Sequence, residues 1–518
     1  MCKNTGMLHL HMHIKIRFSH VHKNELFYQC YGCQTALHDL PERPGGGMFM
    51  MKTRNGCQVY PLTAAQELHF YAMQYCPKKQ VVNIGSSLTI GAELDFEELR
   101  RSIEAAVQRC ESMRLRFTKD KEGTAYQYVV PKETREIEFF DFSNWRGEDA
   151  QKKMCEWTQL PFEPEDAPQH RIIMIRMPDG FEGLYLCVSH LIMDAQSLIL
   201  FFRDVIELYC HAKYEGIDAP KEMDSYIEAL KNDLAYAAGN SAFEKDRKFF
   251  EQLISSSEPV FTDIYGRGRL EETRRLSGDP KKRAVDNTSE SVDANLYEFH
   301  LEPEATKQLD AFCEAEHISM TCLLLMGLRT YLQKMNNEDD VSLTTTVARR
   351  ATLREKRSGG TRIHCFPFRT IVPRGDSFIE GLYKIRDMQN LYFRHANYSP
   401  TSYYAYRSKV WSLKDGETYE PLSLTYQPLS LRYEGPGLDK LDGIRYKTAR
   451  YTNGVAAHKL YLTVSRRAED AGMDFCFEYQ TGAVTPEKLQ ELYYYLCRIM
   501  FRGIEDKTRT VGQIIDMV

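Results

Sequence analysis

Two short apolar runs, Ile172–Met177 and Leu184–Ser189, flank the turn-forming tripeptide Pro178-Asp179-Gly180. Proline presets one turn angle and glycine tolerates positive φ, so the runs read as an antiparallel hairpin. The second run ends at Ser189-His190-Leu191-Ile192-Met193-Asp194. Immediately afterwards Leu198, Phe201, Phe202, Val205, Leu208 and Tyr209 recur at helical spacing and mark an amphipathic helix. This succession of buried strand, histidine and helix constrains the chain more than any other feature. A His at a strand end is held by the sheet while its ring projects beyond it. Asp194, across a short turn, can brace that loop or bind a cation elsewhere in the fold. On spacing alone such a His–Asp pair is more often structural than catalytic, and none of the other histidines after residue 50 has a comparable setting.

At 518 residues the chain is too long for one ordinary core, which predicts two to four domain-sized units. Hydrophobic residues at 43% and charged residues at 27% describe a globular protein rather than a disordered one. A formal net charge of -5 gives no basic excess, so no nucleic-acid partner is expected. No apolar stretch approaches the roughly 20 residues of a membrane helix, and the N-terminus lacks the order of a secretory signal. The 14 cysteines are mostly isolated within apolar runs, as at Cys187 and Cys322. Such residues read as small buried thiols in a reducing compartment, so a cytoplasmic enzyme is expected.

Residues 1–50 stand apart. They carry six of the 15 histidines, the pair Cys30-Tyr31-Gly32-Cys33, and the breaker run Arg43-Pro44-Gly45-Gly46-Gly47 before Met48. A zinc module needs a second ligand pair at regular spacing, which is missing, so no metal is expected. The segment reads as a disordered tail or as a mis-assigned start, with Met48 or Met51 as the true first residue.

From Tyr60 the pattern is orderly. Asp95 and Glu98 predict a capping box opening a helix through Cys110, and Tyr126–Val130 reads as a strand. His211–Pro220 leads out of a first lobe. Residues 265–295 are charged and rich in turn formers, which predicts a mobile surface loop, with a docking patch for an acidic partner as the alternative. Strand Tyr297–Leu301, helices Glu304–His317 and Thr321–Met335, strands Val341–Val347 and Asp474–Tyr479, and a helix from Pro486 to about Met500 follow. Strands and helices mix without a regular βαβ repeat, so two α/β sandwiches fit better than a doubly wound sheet or a barrel.

Ser189–Ala195 resembles the His-His-x-x-x-Asp-Gly motif of nonribosomal peptide synthetase condensation domains, within the wider chloramphenicol-acetyltransferase-like family. Tyr60–Gln66 looks like the family's opening motif, and Met113–Phe117 is similar to its Leu-Arg-x-Arg-Phe motif. Val341–Arg350 resembles the segment whose terminal Arg pairs with the motif Asp. Gly360–Arg369 is similar to Gly-x-Phe-x-Asn-x-x-Pro-x-Arg, and Phe477–Tyr479 with the last helix matches the usual ending. These five further pieces and Ser189–Ala195 occur in the family's order.

The resemblance implies an α/β (α+β) fold of two chloramphenicol-acetyltransferase-like sandwich lobes forming a V-shaped pseudo-dimer, residues 51–220 and 221–518. It implies His190 as the catalytic residue, meeting the acceptor nucleophile between the lobes, and Asp194 as structural support paired with Arg350. The implied reaction is attack of an amine or alcohol on an acyl thioester, phosphopantetheinyl or CoA, with no intrinsic cofactor and no metal. The chain ends at Val518, soon after the last helix, so a free-standing enzyme is expected, supplied by a carrier protein in trans or by CoA and able to act as a monomer. Three departures stand out. Ser189 replaces the first His of the motif. Ala195 replaces its Gly, with a backbone penalty if positive φ is required there. His364 replaces the later Asn and, with Arg114, is a candidate tunnel-lining residue. An acyl-CoA-dependent O- or N-acyltransferase of primary or lipid metabolism, and a catalytically silent docking platform, are the alternatives.

Overall fold

The computed structural model describes residues 53–133, 135–428, 445–467 and 470–518. The readings made for residues 1–50, the Cys30–Cys33 pair included, lie outside the described residues.

The protein is α+β, with two large sheets, each covered by its own helices. The first sheet has five strands in the order Tyr446–Tyr451, Asn83–Ile90, Glu182–Ser189, His170–Arg176 and Glu138–Asp141. The predicted hairpin is its centre: Ile172 lies opposite Leu186 and Met174 opposite Leu184. All eight residues of Glu182–Ser189 are buried, because helices cover both faces of the sheet. Phe96–Arg109 and Ala195–Lys213 pack on one face, through Leu99, Ile103, Phe202 and Val205. On the other face Gly147–Gln159 brings Ala150 and Met154 against Ile173, Tyr185 and Tyr451. A continuous apolar run thus reflects burial on both sides rather than alternation.

The second sheet has six strands in the order Ala294–Leu301, Met473–Gln480, Leu460–Arg466, Ser423–Gln427, Asp340–Val347 and His364–Ile371. Its helical side is formed by Met320–Asn336, Phe378–Arg394 and Pro486–Glu505 around one core. Met320–Asn336 is buried along almost its whole length, which explains its apolar sequence. Among the described residues no single helix is long and apolar enough to cross a membrane.

The structure differs from the sequence reading in four places. The helix at Phe96 has only half a capping box: the Asp95 carboxylate accepts from Glu97 and Glu98 N–H at 3.1 and 3.2 Å. Glu98 instead accepts from Arg101, and the Asp95 N–H donates to the Tyr209 hydroxyl. Residues 265–295 are not a featureless loop. They contain the helix Gly268–Ser277, anchored where Leu270 packs on Val260, Phe261 and Val285, and the short strand Val285–Asp286. One buried apolar residue, together with Arg269 bonded to Asp263 and Asn287 and Arg274 bonded to the Lys282 carbonyl, seats a helix that is otherwise charged. Chain beyond residue 220 also serves the first core, through Tyr226 and Leu230 of the helix Tyr226–Ala237. Finally, strand Tyr446–Tyr451 comes from the second half yet pairs antiparallel with Asn83–Ile90 of the first sheet.

Candidate active site

The strand Glu182–Ser189 carries the backbone to the sheet's end, and two hydrogen bonds extend the ladder past it. Ser189 N–H donates to the Gln169 carbonyl at 2.9 Å, and His190 N–H donates to the Val82 carbonyl at 2.7 Å. The chain then turns sharply, with Ile192 N–H bonded to the Ser189 carbonyl at 3.0 Å. Ser189 is fully buried, and its hydroxyl accepts from Leu191 N–H at 3.3 Å. The departure from His at this position therefore leaves a residue that satisfies the turn. Gln66, from the opening motif, donates to the Leu191 carbonyl at 3.2 Å and stitches the turn to another helix.

Asp194 is the N-cap of Ala195–Lys213, accepting from Ser197 N–H at 3.0 Å. Its other carboxylate oxygen accepts from Arg350 at 2.7 Å and from Arg362 N–H at 2.9 Å. Arg350 also donates to the Ser197 hydroxyl at 2.8 Å and to the Gly360 carbonyl at 3.1 Å. Burial alone would raise the Asp194 pKa, but Arg350, Ser197 and Arg362 outweigh it and hold the carboxyl below its ordinary value. Ala195 is the first residue of the helix and has no positive φ, so it carries no backbone penalty. The N-terminal turn of a helix accepts alanine as readily as glycine.

The His190 ring is half-buried and stacks on His69, with centroids 3.8 Å apart and planes inclined by 16°. Burial lowers the His190 pKa, with Asp194 and the carbonyls of His190 and Met193 opposing. His69 is held well below its ordinary value by burial, then by His190 and His458. His190 is thus a neutral imidazole near pH 7, able to accept a proton. His69 was passed over in the sequence because nothing local marks it; its one signal is its place on the helix Ala64–Tyr75, which Thr63 and Gln66 cap. Thr361 and Arg362 were missed for the same reason. Both reach the turn from a segment that pairs, at Gly360, with Met193.

The two candidate tunnel-lining residues both make hydrogen bonds within the protein. His364 is fully buried, with Nδ1 2.9 Å from the Ala396 carbonyl and Nε2 accepting from Arg349 at 3.1 Å. Burial and Arg349 keep that ring neutral. Arg114 donates to the carbonyls of Val130 and Pro131 at 2.6 and 3.2 Å, clamping a strand end. Arg116, two residues on, forms a buried ion pair with Glu133. A charged side chain buried beside its partner is costly to leave unpaired, so the pair braces the structure around it.

The condensation-domain family model matches residues 57–515. The chain belongs to the condensation-domain family. Surfactin synthase subunit 1 of Bacillus subtilis (strain 168) is 21% identical over 462 residues, covering 88% of this chain and 12% of that protein. Tyrocidine synthase 2 of Brevibacillus parabrevis is 21% identical over 455 residues, 88% of this chain and 12% of that protein. This chain thus spans less than a fifth of either relative. Among solved structures, the first condensation domain of the calcium-dependent antibiotic synthetase superposes with a TM-score of 0.71 at 20% identity, covering 88% of this chain and 98% of that one. The starter condensation domain of rhizomide synthetase, in complex with C8-CoA, gives 0.70 at 18% identity, with 88% and 96% covered. Condensation domains form amide bonds by acyl transfer.

Proposed function

We propose that this condensation domain joins an acyl thioester, held on a carrier protein or on CoA, to an amine or alcohol acceptor. The observation that carries the reading is His190: a neutral, half-buried imidazole at a strand end, on a turn pinned by Asp194 and Arg350. The acceptor nitrogen or oxygen attacks the thioester carbonyl, His190 takes its proton, and the tetrahedral intermediate expels the thiolate. The imidazolium returns the proton to the departing sulfur, so amide or ester and free thiol are the products. Proton acceptance of this kind contributes about 10²–10⁴-fold. The remaining work is positioning, which the rigid turn supports.

Asp194 and Arg350 support the turn rather than meet the substrate, since both are buried in each other's hydrogen bonds. The reaction needs neither a resident metal nor a redox group. That a solved neighbour is described in complex with C8-CoA supports a CoA thioester as one donor; relatives named as surfactin and tyrocidine synthases support a carrier-bound one. The reading places the enzyme in the cytoplasm, where its buried free thiols, such as Cys187 and Cys322, stay reduced.

The test is an intact-mass assay of products from octanoyl-CoA and acyl-carrier donors offered pooled amines and alcohols. Acylated acceptor from wild type and none from His190→Ala is the expected result. Equal product from both proteins would reject the catalytic assignment, and no product with either donor would leave the docking platform as the better reading.

A further inference from the structure

A neutral imidazole has one N–H, and a proton-accepting His must present its other nitrogen to the substrate. Which nitrogen of His190 carries the hydrogen depends in part on one side chain, Thr361. It is buried, at an unassigned position between Gly360 and Arg362, in the segment that crosses to the His190 turn. Its hydroxyl lies 2.6 Å from the His190 carbonyl oxygen and 3.2 Å from His190 Nδ1.

A hydroxyl has one hydrogen to donate and lone pairs to accept with. The carbonyl can only accept, and two oxygens at 2.6 Å without a hydrogen between them would repel, so the Thr361 hydrogen lies on that contact. Toward Nδ1 the Thr361 oxygen then presents only lone pairs. A bare nitrogen lone pair facing them would be repelled, whereas Nδ1–H makes a hydrogen bond. The carbonyls of His190 and Met193, also beside the ring, are acceptors too. Stacking on His69 covers one ring face.

We propose that Thr361 is a positioning residue that sets His190 in the Nδ1–H tautomer, leaving the Nε2 lone pair to take the acceptor's proton. The inference rests on the catalytic reading of His190 for its purpose, but not for its test. The neighbouring residues of the same segment fix the turn rather than the ring: the Gly360 carbonyl receives Ser197 and Arg350, and Arg362 N–H reaches Asp194. Thr361 alone in that segment is seen to touch both the backbone and the side chain of His190. A second-layer group of this kind acts by orienting the acting imidazole and selecting its tautomer.

The experiment is nitrogen NMR of the full-length protein labelled with ¹⁵N-histidine at pH 8, with His190 assigned by its loss in His190→Ala. The wild type is expected to show a protonated Nδ1 and an unprotonated Nε2. Thr361→Val, of equal size but without the hydroxyl, should lose part of the Nδ1–H population, since the carbonyl acceptors remain, and Thr361→Ser should keep it in full. With octanoyl-CoA as donor, Thr361→Val should lower kcat about 10- to 100-fold with KM nearly unchanged, and Thr361→Ser should restore it. Thr361→Ala is the second variant if valine does not fold.

A wild-type His190 protonated at Nε2 overturns the inference. So does a Thr361→Val protein, or its alanine substitute, that retains the full Nδ1–H population, whatever its activity. A wild-type protein with the expected tautomer that transfers no acyl group would overturn the proposed function instead and leave the Thr361 assignment standing.

Discussion

Arg350 donates to the Asp194 carboxylate at 2.7 Å, a buried pair joining the turn after the first sheet's central strand to the segment after strand Asp340–Val347 of the second sheet. Each partner is further bonded: Asp194 to Ser197 and Arg362, Arg350 to Ser197 and Gly360. The pair is thus the hub of a buried polar network that fastens the second half of the chain to the candidate site. A network of this kind is worth most when complete and is costly when one member is removed.

Arg350→Ala should therefore destabilise the protein by about 3–5 kcal/mol, because it leaves the Asp194 carboxylate buried without its cation. Urea unfolding measures this. A change below about 1 kcal/mol would mean that the network is not holding the halves together. Asp194→Asn should behave similarly at neutral pH but converge on wild type in acid. The depressed Asp194 carboxyl contributes stability above its unfolded pKa, and that contribution disappears as pH falls through its folded value.

His190 sets the pH dependence of catalysis. Its folded pKa lies below the ordinary 6.5 because burial disfavours imidazolium. A base works when unprotonated, so kcat/KM should stay on its plateau as pH falls through 6.5 and bend only at lower pH. A pH profile with octanoyl-CoA gives the answer. An acid limb above 6.5 would show that His190 is stabilised as the cation instead.

Stability itself should fall in mild acid. His170 and His458 are buried neutral, with pKa values pushed down to about 4 and about 3. The unfolded chain takes up protons at ordinary histidine values while the folded state refuses them, so stability declines as pH drops below 6.5. Each such group contributes up to about 1.4 kcal/mol per pH unit in that window. Thermal melts from pH 7.5 to 5 should show the decline, and His458→Asn should make it shallower. An identical slope in the variant would place His458 in contact with water.

Glu478 has the opposite signature. Burial pushes its carboxyl up to about 7, so the folded state favours the protonated acid. The penalty for ionisation grows as pH rises above the ordinary carboxyl value and is complete above about 7. Glu478→Gln should therefore stabilise the protein at pH 8 by about 1–3 kcal/mol and leave it unchanged near pH 4.5. Destabilisation at pH 8 would show that the carboxylate has a cationic partner.

Local pattern alone determined a good deal of this protein. The hairpin was legible because Pro178-Asp179-Gly180 reverses the chain, and the helix after Asp194 because its apolar residues recur every third or fourth position. Asp194 as its N-cap follows from the same local chemistry. The family order of motifs added the Asp194–Arg350 pairing, which no periodicity could supply. Tertiary structure decided the rest. Periodicity states which face of an element is buried, never against what, so the crossing of Tyr446–Tyr451 into the first sheet had no local signal. Leu270, with Arg269 and Arg274, seats a helix that charge composition assigned to a loop. His69, Thr361 and Arg362 come to His190 and Asp194 from distant segments, and only the packing of those segments brings a stacked ring, a hydroxyl and an N–H within reach. Likewise only folding brings His364 to the Ala396 carbonyl and Arg349, and Arg114 Nη1 to the carbonyls of Val130 and Pro131. A sequence lists the groups that can form hydrogen bonds; three-dimensional proximity selects the partner, because those interactions act over a few ångströms and the chain separates them by scores of residues.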